Sequence, residues 1–304
     1  MPSENRDRAK TLTTDAIAAR VEHFLSSLAP EKSLATRQTY GRALGVFMLW
    51  VDEQGGEVQL SRESLQAYLL YLRRVRKVKD RTIQTYLTAV RQLFAFLTEK
   101  GLLQKDPAKD LTIKVSVSAG SRGILTMAEV ERLLQVSEFR DPINLRDRAI
   151  LCCMLIEGLS EGEVVRCNYK DLEHTLMGEE LVVRGKGGRL RVPLDSRTYK
   201  SIVVYLSSRI ESIKFDGPLF VSHGPRGQNE RLKVRTVRAR MRVLLDQAGI
   251  MRLDVSPQSL THTSIYLLVQ NGVSRAELRQ RTRPWRLFHR INDLKAQGLI
   301  DASY

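Results

Sequence analysis

Residues 146–173 read RDRAILCCMLIEGLSEGEVVRCNYKDLE. The run 149–156 is apolar without a break, the pattern of a helix buried on all sides. Gly158 ends that helix, because glycine accepts the left-handed conformation of a C-terminal cap. A second helix follows with Glu163 in it and Asp171 just beyond. Downstream, 181–194 reads LVVRGKGGRLRVPL. Two Val/Leu runs flank Gly-Lys-Gly-Gly, which predicts a β-hairpin. Upstream, Thr126 and Glu129 have the spacing of a capping box and open a helix. After the hairpin come a helix through Tyr205, a loop over 217–232, a basic helix and a helical C-terminal third.

The N-terminal part has a different rhythm. A loose arm is expected over 1–13, with Thr14 and Asp15 capping the first helix. In that helix Ile17, Val21, Phe24 and Leu25 recur at helical spacing. A second helix starts near Ser33 or Ala35 and carries Tyr40, Leu44, Phe47 and Trp50. A third covers 62–76, with Leu65, Tyr68, Leu69 and Leu72 on one face. A fourth covers 81–99, with Ile83, Leu87, Val90, Leu93, Phe94 and Leu97, and Gly101 closes it. Four helices joined by short polar turns predict a bundle over 14–104. The stretch 105–123, with its proline, its two glycines and alternating Val/Ser, reads as a linker. A second domain then fills 124–304. The fold class expected is mainly α with a small β-hairpin or sheet, in two domains.

Bulk properties narrow the function. The chain has 304 residues, with Lys and Arg numbering 49 against 34 Asp and Glu, a net charge of +15. Such an excess points to a polyanionic partner, nucleic acid first and an anionic membrane surface second. No basic amphipathic helix stands alone at a terminus to serve the membrane alternative. No apolar run reaches the roughly 18 residues of a membrane span, and the N-terminus lacks an apolar signal core. The cysteines are Cys152, Cys153 and Cys167. Two lie in the apolar run and none has metal-ligand spacing. An odd, unpatterned set fits a reducing, cytoplasmic setting.

Taken in order, these pieces resemble the tyrosine recombinase (phage integrase) family. The family's core-binding, SAM-like domain has S-x-x-T-x-x-x-Y-x-x-x-L-x-x-F-x-x-W, matched by Ser33, Thr36, Tyr40, Leu44, Phe47 and Trp50. Its later T-I-x-x-x-L-x-x-x-R-x-x-F-x-F-L is matched by Thr82, Ile83, Leu87, Arg91, Phe94, Phe96 and Leu97. The second domain is similar at Leu125-Thr126, Gly158-Leu159, Glu163, Asp171, Gly185-Lys186-Gly187, Val192-Pro193-Leu194, Ser256-Pro257, Leu260 and His262-Thr263. The resemblance implies a helical core-binding bundle followed by a mixed α+β catalytic-type domain.

It also implies a chemistry. In the family a tyrosine attacks a DNA phosphorus and forms a covalent 3′-phosphotyrosyl link. Two arginines neutralise the transition state, since guanidinium geometry matches phosphate oxygens. A hairpin lysine protonates the leaving oxygen, and no metal or other cofactor is needed. Lys186 matches that lysine. The arginine after Gly-Leu is Ser160 here. The motif H-x-L-R-H-T appears with Gln258 for the first histidine and Thr261 for the arginine. His262 is retained, at a position that packs or orients. Counting on from Val273 puts the family's Gly-His pair at Arg283 and Pro284 and its nucleophile at Asp293. Trp285, one residue off, is a candidate for the late His/Trp. Tyr304, the sole tyrosine after Tyr266, stands well past the nucleophile position.

The basic residues fall in clusters. Residues 226–252 hold Arg226, Arg231, Lys233, Arg235, Arg238, Arg240, Arg242 and Arg252 against Glu230 and Asp246. Arg235, Arg238 and Arg242 share a helical face. Arg73, Arg74, Arg76, Lys77, Lys79 and Arg81 gather between the third and fourth helices. Arg279, Arg283, Arg286 and Arg290 fit one face of a helix kinked at Pro284. Arg189 and Arg191 on the hairpin's second strand join them as candidate phosphate contacts. These clusters suit a clamp on double-stranded DNA, with salt-dependent affinity. The joint loss of both arginines and the nucleophile implies a DNA-binding protein without cleavage, accessory or regulatory to recombination or integration of a mobile element. It would act by self-association or beside an active paralogue. Two alternatives stay open. One is an active recombinase or relaxase-like nicking enzyme with relocated groups. The other is an interaction subunit whose residues after Ile291 dock on a neighbour.

Overall fold

In a computed structural model of the chain, the described residues are 11–29, 31–113, 123–136, 141–185, 188–225 and 227–301. The chain divides into two compact units, Met1–Val117 and Ser118–Tyr304. The described residues are mostly helical, with two small antiparallel sheets.

The first unit begins with β1 (Thr11–Thr13), followed by α1 (Thr14–Ser27) and α2 (Leu34–Glu53). Then come β2 (Glu57–Gln59), α3 (Arg62–Arg74) and α4 (Asp80–Glu99). Residues 11–13, expected in a loose arm, instead pair with β2 and bury Leu12. A single apolar side chain flanked by threonines is too short a signal for a strand. The remaining arm residues, 1–10, lie outside the described residues. Hydroxyl caps set the helix starts: Thr13 accepts from the Ala16 amide, Ser33 from Thr36 and Ser61 from Ser64. The apolar stripes meet in an aromatic centre. Phe47 packs edge-on to Tyr68 at 5.0 Å between centroids and lies 5.7 Å from Trp50, beside a buried Phe94.

The second unit is built around one buried helix. It opens with α5 (Met127–Gln135), whose capping box joins Thr126 and Glu129. Next is α6 (Pro142–Leu155), started by Asp141 accepting from the Ile143 and Asn144 amides, with Pro142 in its first turn. Every residue from Ala149 to Leu155 is buried. After Gly158, α7 (Glu161–Val164) is a single turn, shorter than the helix expected there. The chain then makes a 3-10 turn and a three-stranded antiparallel sheet: β3 (Leu172–Thr175), β4 (Gly178–Gly185) and β5 (Gly188–Pro193). The hairpin stands as expected, but β3 was missed because LEHT has no alternation to read. The remaining helices are α8 (Ser196–Ser207), α9 (Val234–Gln247), α10 (Pro257–Gln270), α11 (Arg275–Arg281) and α12 (Pro284–Ala296). Helices α8, α9 and α10 pack around α6. Among the described residues, no helix is long and apolar enough to cross a membrane.

Helix α10 grips the loop after α6 with hydroxyls. Ser264 donates to the Ile156 carbonyl at 2.9 Å, Thr261 to the Leu159 carbonyl at 3.3 Å, and Thr263 accepts from the Leu125 amide at 3.0 Å. The loop can lie this close because residue 158 is glycine. Its φ is 70°, and a Cβ there would stand 3.1 Å from Ser264 Oγ. Gly158→Ala is therefore expected to destabilise the second unit by about 1–3 kcal/mol, read as a lower denaturant midpoint. An unchanged midpoint would contradict this account of the loop.

Candidate functional site

One carboxylate organises the region downstream of Gly158. Glu163 is buried on α7, and four donors converge on it. The Ser160 amide and hydroxyl donate to Oε2 at 2.9 and 2.7 Å. Arg286 Nη1 donates to the same oxygen at 2.7 Å, and Arg283 Nε to Oε1 at 3.0 Å. Burial alone pushes a carboxyl upward. Here the Arg286 guanidinium and the Ser160 hydrogen bonds outweigh it and hold Glu163 down to about 2 from an ordinary 4.5. Arg286 also reaches Ser160 Oγ through Nη2 at 3.3 Å.

Arg283 is the N-cap of α12 and Arg286 lies in its first turn, which Pro284 starts. Three residues apart, they lie on one face. Below them, α12 is pinned by Leu287, Ile291 and Leu294 against Ile265 of α10 and Leu278 of α11. Arg283 extends further, donating through Nη2 to the Val183 and Gly188 carbonyls, each at 3.2 Å. These belong to β4 and β5, so one side chain holds both strands of the hairpin.

The positions singled out in the sequence divide into three groups. Ser160, Thr261 and Glu163 are brought together, with Gln258 half-buried one turn before Thr261 on α10. His262 is buried on the same helix. Asp293 is exposed on α12, as is His289. Lys186, Tyr304 and Arg226 lie outside the described residues, as does the side chain of Trp285.

The basic candidates also sort by exposure. Arg73, Arg74, Arg76, Lys77 and Arg81 are exposed around the turn between α3 and α4, with Arg73 paired to Asp80 at 2.8 Å. Arg235, Arg238 and Arg242 form the outer face of α9, while Val237, Met241, Leu244 and Leu245 face the core. Arg238 bonds Glu161 at 3.1 Å. Arg240 turns inward to Asp147, which also holds Arg146. Arg189 and Arg279 are exposed. Arg191 is exposed but shared between Glu173 and Glu180 on neighbouring strands.

Arg283 corrects the sequence reading. It was expected on a DNA-facing surface with Arg279, Arg286 and Arg290. The turn between α11 and α12 breaks that face, and Arg283 and Arg286 are buried, at 4% and 9% exposure. The reason is the buried Glu163, whose carboxylate binds both guanidiniums. The pair's spacing on either side of Pro284 was the available signal. Leu294 is buried in the cluster around Ile265 of the same unit, and Leu299 and Ile300, named with it in the alternative of docking on a neighbour, pack partly buried against that cluster.

The phage integrase family model matches residues 124–282, and the phage integrase N-terminal SAM-like domain matches residues 21–101. The chain belongs to the phage integrase family. Tyrosine recombinase XerC of Psychromonas ingrahamii is 27% identical over 271 residues, covering 86% of each chain. Tyrosine recombinase XerD of Pseudomonas aeruginosa is 28% identical over 260 residues, covering 83% of this chain and 84% of the relative. Among solved structures, the XerH site-specific recombinase bound to palindromic difH substrate has a TM-score of 0.75 at 16% identity, covering 97% of this chain and 95% of that one. A lambda integrase dimer bound to a core site has a TM-score of 0.65 at 14% identity, covering 90% and 95%. These two share the fold.

The depressed Glu163 carboxyl makes a signed prediction. Its contribution to stability is complete above pH 4.5 and is lost as pH falls towards 2. Glu163→Gln should cost about 3–5 kcal/mol near neutrality, because two buried guanidiniums lose their carboxylate. The gap in melting temperature between wild type and variant should narrow progressively below pH 4.5. A gap that stays constant down to pH 3 would contradict the ionised hub.

Proposed function

We propose that this chain binds double-stranded DNA as a tyrosine-recombinase-type protein without cleaving it. It acts as an accessory or regulatory subunit in recombination or integration of a mobile element, in the cytoplasm, by self-association or beside an active paralogue. In this reading residues 14–104 are the core-binding domain, 105–123 the linker and 124–304 the catalytic-type domain with a degenerate site. The observation that carries it is Ser160, a half-buried hydroxyl where the family pattern has its first arginine. Thr261, where the second is expected, is buried against the Leu159 carbonyl. Asp293, in register with the nucleophile, bears a carboxylate that repels phosphate. Bound DNA in the XerH and lambda integrase structures supports the choice of partner. So do the exposed basic residues at the α3–α4 turn and on α9.

One observation favours a second reading. Arg286 brings a guanidinium within 3.3 Å of Ser160 Oγ. An enzyme with relocated groups would use it there, with Tyr304 as nucleophile. Tyr304→Phe would then abolish covalent protein–DNA adducts.

Binding itself is tested by the salt dependence of affinity for duplexes from the flanks of the encoding locus. Alanine at Arg235, Arg238 and Arg242 together should lower affinity at least about tenfold and flatten the log–log salt slope by about two to three. Equal slopes for variant and wild type would remove α9 from the interface. Absence of any gel shift at low salt would overturn the DNA-binding reading.

A further inference from the structure

Arg283 sits in an unusual place for a side chain with so much charge. Its side chain is 5% exposed, and it bonds three different elements. Nε meets Glu163 on α7, and Nη2 meets Val183 on β4 and Gly188 on β5. Its backbone caps α12, the carbonyl accepting from the Leu287 amide at 3.0 Å. The guanidinium plane lies on the backbone of Gly185. A Cβ there would stand 2.9 Å from Nη2 and 3.2 Å from Cζ and Nε. No residue larger than glycine leaves this space. Gly185 pairs with Gly188 at the end of the hairpin ladder, and Arg184 pairs with Arg189 one step back. Arg283 therefore holds the hairpin next to the exposed Arg189.

We propose that Arg283 is a positioning residue that couples the seating of α12 to the hairpin β4–β5, holding Arg189 in place for a DNA phosphate. The latch is intramolecular and stands without DNA. Its use for Arg189 rests on the DNA-binding reading above. Guanidinium geometry is required, because one planar fork serves a carboxylate and two carbonyls; lysine offers a single point. The coupling works in both directions. A ligand that orders the hairpin also favours docked α12, and undocking α12 frees the hairpin.

Hydrogen exchange of the full chain without DNA tests the latch. Amides of 183–185 and 188–190 should exchange about tenfold or more faster in Arg283→Ala, and intermediately in Arg283→Lys, while α6 amides stay protected. Gly185→Ala approaches the same contact from the other side and serves if Arg283→Ala does not fold. It should loosen the hairpin alike, and the double variant should be no looser than either single one. Unchanged hairpin protection in a folded variant, or equal loss throughout residues 124–301, overturns the latch. The DNA role is read separately. Arg189→Ala should weaken DNA binding severalfold in the wild-type background and not in Gly185→Ala. An equal effect in both backgrounds overturns the coupling to Arg189. Loss of all DNA binding with an intact exchange pattern removes only the DNA-binding reading.

Discussion

The placing of α12 and of the hairpin depends on the buried Glu163 carboxylate, which has a guanidinium on each oxygen. Glu163 sits one turn from Ser160, and that turn is short enough for the Ser160 amide and hydroxyl to share Oε2 with Arg286. Removing two guanidiniums and a carboxylate from water is costly. The cost is met only because the bonds are short and the remaining donors of Arg283 find backbone carbonyls. The consequence is architectural. Helix α12 must lie where its first turn reaches Glu163, and the hairpin must lie where Arg283 reaches it.

The hydroxyls of α10 set the other side of the same loop. Ser264 and Thr261 bind the carbonyls of residues 156 and 159, and Gly158 removes the atom that would keep them apart. On the proposed reading, these groups turn a phosphate-clamping constellation into a structural one. Threonine at 261 satisfies a neighbouring carbonyl where an arginine would face the ligand. Positive charge meanwhile stays on the outer face of α9 at Arg235, Arg238 and Arg242, since its apolar face and Arg240 point into the fold.

Most of the fold was legible because its signals are local and periodic. The four-helix stripe, the run 149–156, the capping box at Thr126 and the Gly-rich hairpin each appear within a short window. Elements without such a window were missed: β1 rests on Leu12 alone, and LEHT carries no period. The spacing of the family motifs pointed to Ser160 and Thr261, and the structure places both at the loop after α6. What occupies the space beside Ser160 was not legible. Arg283 and Arg286 are more than a hundred residues from Glu163, and arginines on a basic chain read first as surface. Only a contact across the fold distinguishes a buried counter-ion from a phosphate contact.

The most direct test of the account is incubation with nicked suicide DNA from the flanks of the encoding locus, resolved on native and denaturing gels. A shifted band on the native gel with no covalent adduct on the denaturing gel is the expected result, on DNA that a competent recombinase cleaves. A covalent protein–DNA band would contradict it, and would mean that the chain retains a nucleophile and a working phosphate site.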